Sequence, residues 1–198
     1  PINHLLLKLM RHAMSKYIHP SAMIHEKVVI ENNVYIGPNC TIGFPAEVKA
    51  TFPTSNFSVI ISQGAVITGN VTIDAGTVRD TFVGKNCFLM KGVHVGHDCV
   101  LQDEVVLSAH ACLAGHIEVK KGANLGIGCL IHPRQIIESY CMIGMGAVIP
   151  KKLVMEPFGI YVGNPAKKIG INERGIEKNS LSQADVNLIM QNFQQREA

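Results

Sequence analysis

The chain has 198 residues, 47% of them hydrophobic and 6% aromatic, with no Trp and a net charge of +3. That suffices for one domain with a sizeable core, which must be built from aliphatic and small side chains. So mild a charge, without a dense Lys/Arg stripe and aromatic platforms, gives no case for nucleic acid. No apolar run approaches the roughly 20 residues that span a bilayer.

Residues 1–13, PINHLLLKLMRHA, are short, basic and apolar. They resemble the front of a signal peptide, but no small-residue cleavage site follows. Met14 reads as a natural start, and 1–13 as an N-terminal extension. An aliphatic then recurs at every sixth position: Ile18, Ile24, Ile30, Ile36 and Ile42, then Ile61, Ile67 and Ile73. From Val83 the register runs unbroken through Leu89, Val95, Leu101, Leu107, Leu113, Val119, Leu125, Ile131, Ile137 and Ile143 to Ile149. The position four after each aliphatic is small or modest, as in Ala65, Val71, Cys87, Cys99, Ala111 and Ala147. The position one after is often Gly.

Neither a helical period of 3.6 nor a strand period of 2 fits this pattern. It predicts an all-β solenoid, a left-handed parallel β-helix in which three hexads, about 18 residues, make one triangular coil. The aliphatic fills the axis, the small residue packs behind it, and each coil buries its face against its neighbours. Five of the six Cys, at 40, 87, 99, 129 and 141, fall on the small inward position and lack CxxC spacing. They read as buried, reduced packing groups, with a cytoplasmic setting as the default.

Two breaks interrupt the register. FPAEVKATFPTSNFS loops out between Ile42 and Ile61, and four extra residues enter around Val78–Phe82. Loops on a rigid scaffold are where substrate contacts gather, although a merely tolerated insertion explains the second equally well. After Ile149 the prolines 150, 157 and 165 end strand pairing. Ser182 with Asp185 then opens a short C-terminal helix whose apolar face is Val186, Ile189, Met190 and Phe193. That helix is expected to cap the prism. The chain thus divides into 1–13, a β-helix domain at 14–156, and a closing segment with helix at 157–198.

The repeat leaves a remainder in LMKGVHVGHDCVLQDEVVLSAHACLAGHI, residues 89–117. His94, His97 and His116 occupy outward positions that stacking alone does not require. With about 18 residues per coil, positions that far apart stack about 4.8 Å from each other. His116 then lies over Asp98, Gly115 and Pro133 over His97, and His132 two coils above Gly96. An outward His97 can take a proton from a hydroxyl or amine attacking a carbonyl. A carboxylate such as Asp98 would hold its tautomer and stabilise the imidazolium. Zinc is the competing use of such histidines, but no Cys is free to join them, and no metal ligand set is assigned.

GVHVGHDC, LAGHIEV and IHPRQII at these intervals resemble the hexapeptide acyltransferases, nearest the UDP-N-acetylglucosamine O-acyltransferases of lipid A biosynthesis. The similarity runs from about Ile18 to residues 178–180. It implies that His97 is the general base beside Asp98, and that His94, His116 and His132 line a cleft between subunits of a homotrimer. It further implies an acyl thioester of acyl carrier protein as donor, a nucleotide-linked sugar as acceptor, and no bound cofactor. The Gly115 amide would be the oxyanion donor.

Met145 falls where long-chain members carry a small residue, which implies a short or medium acyl group. Asn172 keeps its match, whereas the nucleotide-binding arginine pair falls on Lys178 and Asn179, a half-kept contact. The helical segment after the solenoid is only about 25 residues, which weakens the expectation of carrier-protein docking. GNPAK at 163–167 points instead toward the acetyl-CoA-dependent N-acetyltransferases of nucleotide-linked amino sugars. The remaining alternative is a zinc-dependent or non-catalytic β-helix scaffold.

Overall fold

In a computed structural model, residues 16–50 and 52–197 are described. The expected extension at 1–13 lies outside these residues. Between Tyr17 and Ile149 the chain runs through twenty short strands, most of two residues. They stack into three parallel sheets along the sides of a triangular prism, the left-handed β-helix that the period of six predicts. The first sheet takes every third strand from Tyr17–Ile18, the second from Met23–Ile24, and the third from Val29–Ile30.

Register follows the hexads. Leu89 pairs with Leu107, Leu107 with Leu125, and Leu125 with Ile143 in the first sheet. Val95, Leu113, Ile131 and Ile149 form the matching ladder in the second. These side chains are almost fully buried, as are Cys87, Val93, Cys99, Val105, Ala111, Ala123, Cys129 and Cys141 behind them. A fully buried Leu or Ile is stabilised by about 1.5–3 kcal/mol, so the axis holds the coils together. The inward thiols donate to carbonyls of the next coil, Cys99 Sγ to Ala114 O at 3.0 Å and Cys87 Sγ to Gln102 O at 3.1 Å. Burial pushes both thiols up to about 12, so they act as packing groups. Thr81 and Gln135 are polar residues in the inward column; the Thr81 hydroxyl accepts from Asp98 N, and the Gln135 amide donates to Pro150 O.

The prism is closed differently from the expectation. Strand Gly159–Val162 continues the first sheet and turns back through GNPAK into the antiparallel strand Lys167–Ile171. Met155, Phe158, Tyr161 and Ala166 in this segment are buried and finish the core. The GNPAK turn thus has a structural reason as the link of a hairpin. Helix Gln183–Glu197 carries the expected reciprocal cap, Ser182 Oγ to Asp185 Oδ2 at 2.6 Å and Asp185 N to Ser182 Oγ at 3.2 Å. It buries no residue fully, and Arg196 ties it to Glu138 at 2.7 Å. The cap is therefore the hairpin segment, because it supplies the large buried side chains and the helix does not. No helix among the described residues is long and apolar enough to cross a membrane.

Candidate active site

At most corners of the prism the residue three after the aliphatic lies in the left-handed backbone region. Asn33, Asn39 and Glu104 adopt φ of 57°, 55° and 64° there. Asp98, at φ 60°, and His116, at φ 62°, hold this position in successive coils. That conformation is disfavoured for residues other than Gly, Asn and Asp, and the repeat imposes it at corners inside and outside the site. It brings the two side chains together on the corner between the second and third sheets.

His97, one residue before the corner, turns its ring against the same pair. Its Nδ1 lies 2.6 Å from Asp98 Oδ2, and His116 Nδ1 lies 3.6 Å from the same oxygen. The two imidazoles meet edge to face at 4.9 Å. A carboxylate only accepts, so His97 Nδ1 carries the proton and Nε2 is left with its lone pair. That nitrogen lies over Gly115, where a Cβ would stand 2.4 Å away. Glycine at 115 is what lets the ring take this pose.

Asp98 is 0% exposed, and the four-residue insertion exists in contact with it. Its Oδ1 accepts from the backbone N–H of Thr77, Val78 and Arg79 at 2.9, 2.8 and 3.0 Å. Its Oδ2 accepts from Thr77 Oγ1 at 2.7 Å, and its own N–H donates to Thr81 Oγ1 at 2.9 Å. Arg79 reaches around to donate to the Asp98 carbonyl from Nε and a terminal nitrogen, at 2.9 and 2.7 Å. Burial alone would raise the Asp98 pKa. Hydrogen bonds from His97, Thr77, Val78 and Arg79 outweigh it and hold the carboxyl far below the usual carboxylate range. The His116 pKa is lowered too, but here burial is the cause and outweighs the pull of Asp98, which favours the neutral imidazole.

His97 opens onto a cleft of about 470 Å³ lined also by His94, Gly96 and Gly115, with Phe44, Pro45 and Glu47 from the first loop. His94 stands on its wall, with Nδ1 2.8 Å from Thr72 Oγ1 and Nε2 3.9 Å from Asp74 Oδ2. Asp74 itself is pushed up by burial, partly offset by His94 and His97.

The structure therefore joins His94, His97, Asp98, Gly115 and His116, and leaves the other candidates apart. His132 is exposed, its Nδ1 3.0 Å from Pro133 O. Met145 is 76% exposed on the neighbouring corner, between the first and second sheets. Asn172 caps helix Glu173–Lys178: its Oδ1 accepts from Gly175 N at 3.0 Å and its Nδ2 donates to Tyr140 O at 2.8 Å. Both ends of that amide are thus engaged within the chain. Lys178 ends the same helix, exposed.

Sequence reasoning missed Asp74, Thr72, Thr77, Arg79 and Thr81. The break in register at the second insertion was the one available sign of the Thr77–Arg79 clamp. His97, Asp98 and His116 also present ligand atoms within 4.8 Å of one another, close enough for a metal ion. Both Asp98 oxygens already accept hydrogen bonds from the loop or from His97, so a metal would have to displace those partners.

A family model described as the GMPPB C-terminal domain matches residues 13–113. The acyl-[acyl-carrier-protein]–UDP-N-acetylglucosamine O-acyltransferase of Aliivibrio fischeri is 30% identical over 211 residues, covering 87% of this chain and 79% of the relative. Among solved structures, the UDP-N-acetylglucosamine acyltransferase of Bacteroides fragilis aligns with a TM-score of 0.70 at 26% identity, covering 90% of this chain and 82% of that one. The corresponding Moraxella catarrhalis structure shares the fold, with a TM-score of 0.71 at 24% identity and 88% and 82% coverage. A histidine–carboxylate pair set at the corner of a six-residue solenoid, with similarity extending over most of both chains, places this chain in the UDP-N-acetylglucosamine O-acyltransferase family of hexapeptide-repeat acyltransferases.

Proposed function

We propose that the protein transfers an acyl group from the phosphopantetheine thioester of an acyl carrier protein to a hydroxyl or amine of a nucleotide-linked sugar such as UDP-N-acetylglucosamine. The observation that carries this is the 2.6 Å contact of His97 Nδ1 with an Asp98 carboxylate that is itself fully buried and clamped. It leaves Nε2 as a base facing a cleft, which is what attack on a thioester needs. The acceptor X–H gives its proton to His97 Nε2 as X bonds to the thioester carbon. The C–S bond then breaks, and the thiolate takes the proton from His97.

Asp98 supports the imidazolium in the interval. The Gly115 N–H, which donates to no described residue, is the candidate donor to the oxyanion. His94 and His116 line the acceptor side. In this reading the enzyme is a homotrimer, with the cleft completed by a neighbouring subunit, and the relatives' names supply the donor and sugar classes. Met145 and His132 would then act across the subunit boundary, Met145 shortening the acyl slot, with Asn172 and Lys178 as the substrate contacts beyond the solenoid. No bound cofactor enters the chemistry.

The test is a panel of acyl-carrier-protein and coenzyme A thioesters, acetyl-CoA included, of graded chain length against UDP-, dTDP- and GDP-sugars, read by mass spectrometry. Transfer of a short or medium chain from the carrier protein to a UDP-sugar is expected. Transfer from acetyl-CoA alone would replace the donor, and no transfer to any nucleotide sugar would overturn the reading.

A further inference from the structure

Asp74 and Glu47 are the carboxylates on the cleft wall that the mechanism above leaves without work, and Asp74 is the one that stands beside His94. It sits at the end of strand Thr72–Ile73, whose residues pair with His94 and Val95, so it lies one coil from Gly96 and beside the His97 column. Its backbone N–H is used in the ladder, donating to Val95 O at 3.0 Å. Its side chain is 22% exposed and accepts no hydrogen bond from any described residue, with the His94 ring nearest at 3.9 Å. A carboxylate partly withdrawn from water on a cleft wall favours a ligand that donates to it. The cleft residues around it include no Lys or Arg.

We infer that Asp74 selects an amine as the acceptor's nucleophile, so that the protein is an N-acyltransferase of a nucleotide-linked amino sugar. This inference rests on the acyl-transfer reading above. The reasoning is a count of donors. His97 Nε2 and the Asp74 carboxylate are two acceptors presented on one wall of one cleft. A hydroxyl has a single O–H, and once it is given to His97 the carboxylate faces only the oxygen's lone pairs. An uncharged amine has an N–H for each and keeps its lone pair for the carbonyl carbon.

In the reaction the amine nitrogen bonds to the thioester carbon and the C–S bond breaks. One N–H proton passes through His97 to the departing thiolate, and the other N–H remains in the amide product. Asp74 holds that second N–H throughout and so orients the attacking lone pair.

The experiment compares UDP-N-acetylglucosamine with its counterpart bearing an amine in place of the accepting hydroxyl. Both are measured with one acyl-carrier-protein donor, in the wild-type protein and in Asp74→Asn. The wild type is expected to favour the amine at least tenfold in kcat/KM, and Asp74→Asn to narrow that preference to below threefold. A wild type that favours the hydroxyl, or a ratio that Asp74→Asn leaves in place, overturns the inference while acyl transfer stands. Transfer to neither acceptor overturns both. If Asp74→Asn fails to fold by circular dichroism, the wild-type preference alone decides.

Discussion

Two corners flank the third sheet, and each carries a carboxylate in the same strained backbone conformation. Asp98 has φ 60° and Glu104 φ 64°. Glu104 is 44% exposed and pairs loosely with Lys121, at 3.7 Å. Asp98 is enclosed, accepts from three backbone amides and a hydroxyl, and touches two histidines. The backbone that the repeat dictates is therefore common to both corners. What differs is the loop at 76–80, lengthened by the four-residue insertion, which wraps one corner and not the other. The site is made by the loop acting on a position that the solenoid offers at most of its corners.

Removing the carboxylate should separate the corners most strongly. Asp98→Ala leaves three loop amides and the Thr77 hydroxyl without their acceptor, and a loss of about 3–5 kcal/mol is expected, as when one partner of a buried charged network is deleted. Chemical denaturation measures it. The same contrast has a pH signature. The Asp98 pKa is lower in the folded state than its ordinary value, so its stabilisation is present above about pH 4 and is lost as the pH falls below that value. The wild-type melting temperature should therefore drop more steeply on acidification than that of Asp98→Asn.

A smaller effect follows from loosening the clamp. Thr77→Val removes the Oγ1 donor at 2.7 Å from Asp98 and should cost about 1–3 kcal/mol. It should also lower kcat more than it raises KM, since the acceptor is not touched. At the other corner, Glu104→Ala should lie within about 0.5 kcal/mol of wild type in the same denaturation experiment, as expected for an exposed pair. A large loss there would mean that the two corners are alike and the loop is incidental.

The fold was legible in the sequence because a period of six leaves every inward residue no freedom. Leu113 and Cys99 are where the register requires, and a stacking rule of 18 puts His116 over Asp98. The site was half legible for the same reason: groups carried by the repeat could be placed by counting. Asp74 and the Thr77–Arg79 clamp could not, since the insertion shifts the register, so that Thr72 pairs with His94. Nor could the end cap, where Met155 and Tyr161 enter the core through a hairpin with no hexad to announce it. Asn172, placed by its match to the family pattern, also holds a helix against Tyr140 O, a contact that no hexad announces.

The central claim is that His97 is the base that the Asp98 corner exists to orient. Its most direct test is the initial rate of acyl transfer by His97→Ala beside wild type, with melting curves of both. A loss of about 100- to 10,000-fold in kcat, with the melting temperature little changed, is the predicted result. A folded His97→Ala protein that keeps more than a few per cent of the wild-type rate would contradict it.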